Sequence, residues 1–179
     1  MSRREAAWRR VRPWLLRAGA ALLVLAIYLW AWRPARTALT RHAASPLLVA
    51  AAPPGATADA VQLVGRRVRV TPRAAPAASG VPLTFVAPAG VRFLLPGLFL
   101  AAAFPRRFLW GTLWGMHVAA GAAALLVLAG VVRWGVGAGL YNFWTAIGRD
   151  LFSLLAPLWI GLRARQGRFL PPDEDGPPS

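Results

Sequence analysis

Residues Phe108 to Val132 read FLWGTLWGMHVAAGAAALLVLAGVV, twenty-five residues without a formal charge. At about 1.5 Å of rise per residue, an α-helix of this length covers a hydrocarbon core of about 30 Å. The tryptophans near its start suit the headgroup boundary. The stretch predicts a transmembrane helix over 108–132. Gly111, Gly115, Ala119 and Ala123 recur at four-residue spacing within it, leaving one face almost bare of side chains. Such a face lets a second helix approach closely. The expected neighbour is the first or last helix of the same chain, with self-association or a foreign helix as alternatives. His117 lies in the same span, where an ionisable residue points by default to a proton carrier or ligand. A lone histidine with no second histidine, cysteine or acid in a facing span makes a poor metal site. A neutral imidazole bonded to a neighbouring helix is therefore expected.

The composition agrees with a membrane protein. Of 179 residues 57% are hydrophobic and 15% charged, too apolar for an ordinary soluble domain. Cysteine is absent, which removes disulfide frameworks, thiolate metal sites and cysteine nucleophiles together. Every basic side chain other than histidine is arginine, and the net charge is +15. A balance of this size suits nucleic acid or anionic lipid. The arginines flank apolar runs and no zinc-finger, basic-zipper or RNA-binding signature is present, so the lipid bilayer is the expected partner and nucleic acid is not.

The flanking sequence divides into further segments. Residues 1–13 form a basic, cytoplasmic N-terminus, and 14–32 a first transmembrane helix with Arg17 reaching toward the headgroups. That run closes on Tyr28, Trp30, Trp32 and Arg33, which suits an uncleaved anchor and not a signal-peptide cleavage site. Six arginines from Arg3 to Arg17 stand before or just within its start, whereas Arg33, Arg36 and Arg41 follow, placing the N-terminus inside. Residues 33–90 are expected to form a small periplasmic β-rich insertion with strands at 46–51, 61–70 and 81–86, the breakers between them including Pro46, Pro53-Pro54-Gly55 and Pro72. Alternation in Arg66-Arg67-Val68-Arg69-Val70 marks a half-exposed strand.

Residues 91–104 make a helix too short for an easy crossing. It either spans, with Arg92 and Arg106 reaching outward, or re-enters; the turn Pro105-Arg106-Arg107 favours spanning. After the glycine-rich connection 135–139, residues 140–162 form a fourth helix interrupted by Arg149-Asp150 and Pro157. Residues 163–179 read as a cytoplasmic, disordered tail. Trp14, Trp110, Trp114 and Trp159 fall at inner ends, and Tyr28, Trp30, Trp32, Trp134, Tyr141 and Trp144 at outer ends, as an interfacial belt. The fold class expected is an all-α transmembrane bundle of four helices with a small β-rich extramembrane insertion.

Asp150 is the one acid between Asp59 and Asp173. A carboxylate at that depth needs a cation, which Arg92 or Arg133 supplies, with Asn142 as a further polar group. The plain expectation is an interhelical salt bridge. The sharper one is that Arg92, Arg133 and Arg149 receive an anionic group such as lipid phosphate. The sequence holds no nucleophile elbow, zincin helix, Walker loop or paired membrane aspartates, so no enzyme, cofactor or metal is expected.

The run Phe85-x-x-Pro88-x-Gly90, followed by Phe93-Leu94-Leu95-Pro96 and then His117, is loosely similar to small multispan proteins encoded beside bacterial exosortase sorting systems. The resemblance implies a non-catalytic accessory or assembly subunit of a larger inner-membrane system, bound to another membrane protein or to itself. The alternative classes are a small oligomeric transporter or channel subunit, lined by His117, Asp150 and the Pro157 region, and an enzyme acting on lipid-linked substrates.

Overall fold

A computed structural model describes residues 3–53, 61–71 and 82–166, with side chains from Trp8 onward. Among the described residues the chain forms four continuous helices and one three-stranded antiparallel sheet. We label them α1 (residues 3–51), β1 (Val61–Val64), β2 (Arg67–Val70), β3 (Leu83–Phe85), α2 (Val91–Ala103), α3 (Leu109–Trp134) and α4 (Ala138–Arg165). Three helices are long and apolar enough to cross a membrane: Trp8–Ala51 within α1, α3 and α4. The acidic tail expected to be disordered lies outside the described residues beyond Gln166, while 163–165 complete α4.

The largest correction concerns α1. The helix does not end at Trp32 but runs on to Ala51, so 33–51 are helical and the strand expected over 46–51 does not form. Two widened π turns, Ile27–Trp32 and Thr40–Ala44, come just before Pro34 and Pro46. A proline offers no N–H to the carbonyl four residues back, and its ring crowds that carbonyl. A widened turn absorbs the crowding without ending the helix. Pro46, which reads as a breaker, is thus accommodated. The 44 residues from Trp8 to Ala51 extend about 66 Å at about 1.5 Å per residue, roughly twice a hydrocarbon core. The far half of α1 carries the sheet.

The expected meander forms, but from different pieces. The run 61–70 is a hairpin and not one strand: β1 and β2 pair antiparallel from Val61↔Val70 to Val64↔Arg67 around Gly65-Arg66. Gly65 has φ +61°, and a two-residue hairpin turn needs positive φ at its first or both central positions. β3 completes the order β1-β2-β3 by pairing with β2, Val68 opposite Phe85 and Val70 opposite Leu83. Val68 and Val70 are buried while Arg67 and Arg69 are not, so the two-residue alternation read from the sequence holds.

Apolar contacts form three clusters along the bundle. At one end Val68, Val70, Leu83 and Phe85 of the sheet pack on Ala44 and Leu48 of α1, Leu128 and Val131 of α3 and Tyr141 of α4. In the middle Val24, Phe93, Ala101 and Trp114 join α1, α2 and α3. At the opposite end Leu100, Leu109, Leu113, Ala156, Ile160 and Ala164 join α2, α3 and α4, with Phe104 against them. The Arg107 guanidinium donates to the Ala164 carbonyl there (2.6 Å), capping the C-terminal turn of α4.

This arrangement bears on the short helix. α2 holds 13 residues, about 20 Å of helix. It lies beside the first half of α3, and the irregular segment 86–90 connects its start to the sheet. Segment and helix together lead from the sheet to the cluster at the opposite end, where Leu100 and Phe104 pack.

The small-residue stripe is also corrected. Gly111, Gly115, Ala119 and Ala123 all lie on the exposed side of α3, and a Cβ at Gly111 or Gly115 would meet nothing within 4 Å. The buried face carries Leu113, His117 and Leu128. The stripe is offset by two residues from Leu113 and His117, about 200° around the helix. The close approaches inside the chain occur at other glycines. A Cβ on Gly97 would stand 2.9 Å from Trp114 Nε1, and one on Gly121 2.9 Å from Pro88 Cγ.

Candidate functional site

The segment leading from β3 into α2 is held down by aromatic side chains. Trp32 donates its indole N–H to the Pro88 carbonyl (2.8 Å), the Gly90 N–H donates to the Tyr28 hydroxyl (2.9 Å), and the Tyr141 hydroxyl donates to the Thr84 carbonyl (2.9 Å). Phe93 is stacked between Trp32 and Trp114, both at 5.2 Å, and Trp114 donates to the Phe93 carbonyl (3.2 Å). Tyr28, Trp32, Trp114 and Tyr141 thus serve as internal braces, a role beyond the interfacial one expected of them. Trp30 and Trp134, 85% and 74% exposed, keep surface positions. The reason is that an aromatic with an N–H or O–H suits either role, a membrane interface or a buried polar contact.

Beneath this strap lies a cavity of about 330 Å³. The sheet contributes Arg67 and Thr84, the first turn of α2 Arg92, α3 His117 and Gly121, and α4 Tyr141, Arg149 and Ser153. Arg92 Nη1 and Asp150 Oδ1 form an ion pair at 2.9 Å, the interhelical salt bridge expected for Asp150. Its geometry is that of charge contact and not of a hydrogen bond, for Asp150 Oδ1 is shielded from solvent without a hydrogen-bond partner. Arg149 Nε is likewise shielded and makes no hydrogen bond.

His117 forms the floor. Its Nδ1 lies 2.9 Å from the Leu113 carbonyl and its Nε2 3.3 Å from Ser153 Oγ, which in turn lies 2.9 Å from the Arg149 carbonyl. The carbonyl only accepts, so Nδ1 carries the proton in the neutral ring and Nε2 is left as an acceptor facing the Ser153 hydroxyl. That hydroxyl has one hydrogen and chooses between His117 and the Arg149 carbonyl. Phe93 and Phe152 meet the imidazole edge-on at 5.6 and 4.9 Å. The expected link from His117 to a neighbouring helix is present, with α4 as the neighbour. Among the described residues no three metal-ligating side chains come together.

Of the polar residues read as one site, Arg92, His117, Arg149 and Asp150 do converge. Arg133 and Asn142 do not, and both are exposed. Arg133 lies nine residues beyond Ala124, which lines the cavity; that is about 180° around α3. Asn142 is one position, about 100°, from the inward-facing Tyr141. Arg67 was not expected; the Gly65-Arg66 turn brings it to the start of β2 and over the cavity. The residues behind the sequence resemblance meet here as well: Phe85, Pro88, Phe93 and His117 all line the cavity, and Gly90, with φ +80°, starts α2.

An apolar groove of about 270 Å³ adjoins the cavity between α3 and α4. The two share Ala120, Ala124, Tyr141, Trp144 and Phe152, and Ala123, Val127 and Leu140 extend the groove.

Comparison with known proteins gives no match: no family model, curated protein or solved structure is similar to this chain.

Proposed function

We propose that this chain is a multi-pass protein of a bacterial inner membrane, with both termini cytoplasmic, acting as a non-catalytic accessory or assembly subunit of a larger membrane system of the exosortase-sorting kind. The observation that carries the reading is the bare face of α3. Gly111, Gly115, Ala119 and Ala123 are exposed although α3 is central to the bundle, and open space stands over the first two. A smooth face on a spanning helix gains van der Waals contact from another helix that lipid tails do not match. The orientation is inferred from the sequence, where six arginines from Arg3 to Arg17 stand against Arg33, Arg36 and Arg41.

The test is purification from native membranes in mild detergent, with the native chain and with Gly115→Ile. A stoichiometric larger partner that is lost from Gly115→Ile supports the subunit reading. A homo-oligomer with no partner overturns it in favour of the transporter reading, to which the polar cavity around His117 and Ser153 lends support.

A further inference from the structure

We propose that the cavity beneath the sheet, with the groove that adjoins it, is a binding site for a phosphate-bearing anionic lipid: headgroup phosphate among Arg67, Arg92 and Arg149, one acyl chain between α3 and α4. The charge in the cavity points to the headgroup. Three guanidiniums from three different elements line one space, and among the described side chains Asp150 is the single carboxylate near them. Asp150 is engaged by Arg92, which leaves Arg67 and Arg149 without an acidic partner there. Arg149 has an Nε–H shielded from solvent with no acceptor, an arrangement that a bound phosphate oxygen satisfies. Guanidinium forks match phosphate oxygens in pairs, and their mutual repulsion falls when an anion sits between them.

The groove points to a lipid and not to a free anion. It adjoins the arginine cavity, with which it shares five lining residues, and is walled by Ala120, Ala123, Val127, Leu140 and Trp144. The alanines of α3 leave the space beside them unfilled, and a polymethylene chain fits a groove of that lining. Gly111, Gly115 and Ala119 of the bare stripe lie outside the site and Ala123 alone borders the groove, so a helix docked on the stripe meets the site only at that residue.

The full chain, purified in mild detergent and stripped of lipid, is titrated with phosphatidic acid, phosphatidylcholine and inorganic phosphate in detergent micelles, and apparent Kd is read from the thermal unfolding shift. Phosphatidic acid is expected to bind at least tenfold more tightly than phosphatidylcholine or inorganic phosphate. Arg149→Gln and Arg67→Gln each weaken phosphatidic acid at least fivefold, while Arg69→Gln, farther along β2 and outside the cavity lining, leaves it unchanged. Asp150→Asn, which frees Arg92, tightens it, so the site is tested by a gain as well as a loss. Val127→Phe, which fills the groove at a residue that does not line the cavity, weakens the lipid and spares phosphate. Equal binding of the two lipids, no effect of Arg149→Gln together with no gain in Asp150→Asn, or inorganic phosphate as tight as phosphatidic acid would each overturn the proposal, the last by assigning a free-anion site.

Discussion

Arg92 Nη1 and Asp150 Oδ1 stand 2.9 Å apart, tying the first turn of α2 to α4 beside the cavity. Their side chains remain 52% and 39% exposed, so solvent screening limits what the pair contributes. Arg92→Gln is expected to lower stability in detergent by about 1 kcal/mol or less. The exchange Arg92→Asp with Asp150→Arg should recover most of the loss, which a double-mutant cycle of thermal unfolding measures.

Gly97 and Gly115 make opposite predictions from the same substitution. At Gly97 a methyl would stand 2.9 Å from Trp114 Nε1 and displace the indole that bonds the Phe93 carbonyl. Gly97→Ala should cost about 1–3 kcal/mol by overpacking. At Gly115 the methyl meets open space, so Gly115→Ala should be neutral or gain up to about 1 kcal/mol from helix propensity. Unfolding of the two variants side by side in detergent, without any partner, reads the difference.

Trp32→Phe keeps a ring against Phe93 but removes the donor to the Pro88 carbonyl. The expected cost is about 1 kcal/mol, the usual net value of one hydrogen bond with its acceptor left unpaired. Trp30→Phe, at an 85% exposed position, should leave unfolding unchanged.

Gly65 stands at φ +61° in the β1–β2 turn. Gly65→Val forces a β-branched residue into left-handed backbone at about 1–2 kcal/mol. The variant should lower the unfolding temperature and increase proteolysis within 61–71, whereas Val64→Thr, on an exposed strand position, should do neither.

The helices were legible because length and apolarity suffice: 108–132 and 140–162 predict α3 and α4 to within a few residues of each end. The continuation of α1 was not, since Pro34 and Pro46 read locally as punctuation, and only packing of the far half of α1 under the sheet favours a widened turn over a break. The hairpin at 61–70 carried a signal in Gly65, outweighed by the valines and arginines around it. α3 has small residues on two faces, Gly111 and Gly115 on one and Ala120, Gly121 and Ala124 on another. Spacing alone cannot say which faces the chain's own helices. For the site, Asp150 identified Arg92 because an isolated carboxylate needs a cation. Arg133 and Asn142 were equally plausible in sequence and were separated from the cavity only by helical phase.

The central claim is that the sheet and the Phe104–Phe108 turn stand at opposite faces of a membrane, joined by the helices between them. The absence of cysteine makes the test direct. Single cysteines at Val64 in β1 and at Arg106 in the turn are labelled with a membrane-impermeant maleimide on intact cells and again after lysis. The account predicts that Val64→Cys reacts on intact cells and Arg106→Cys only after lysis; reaction of both positions from the same side would contradict it.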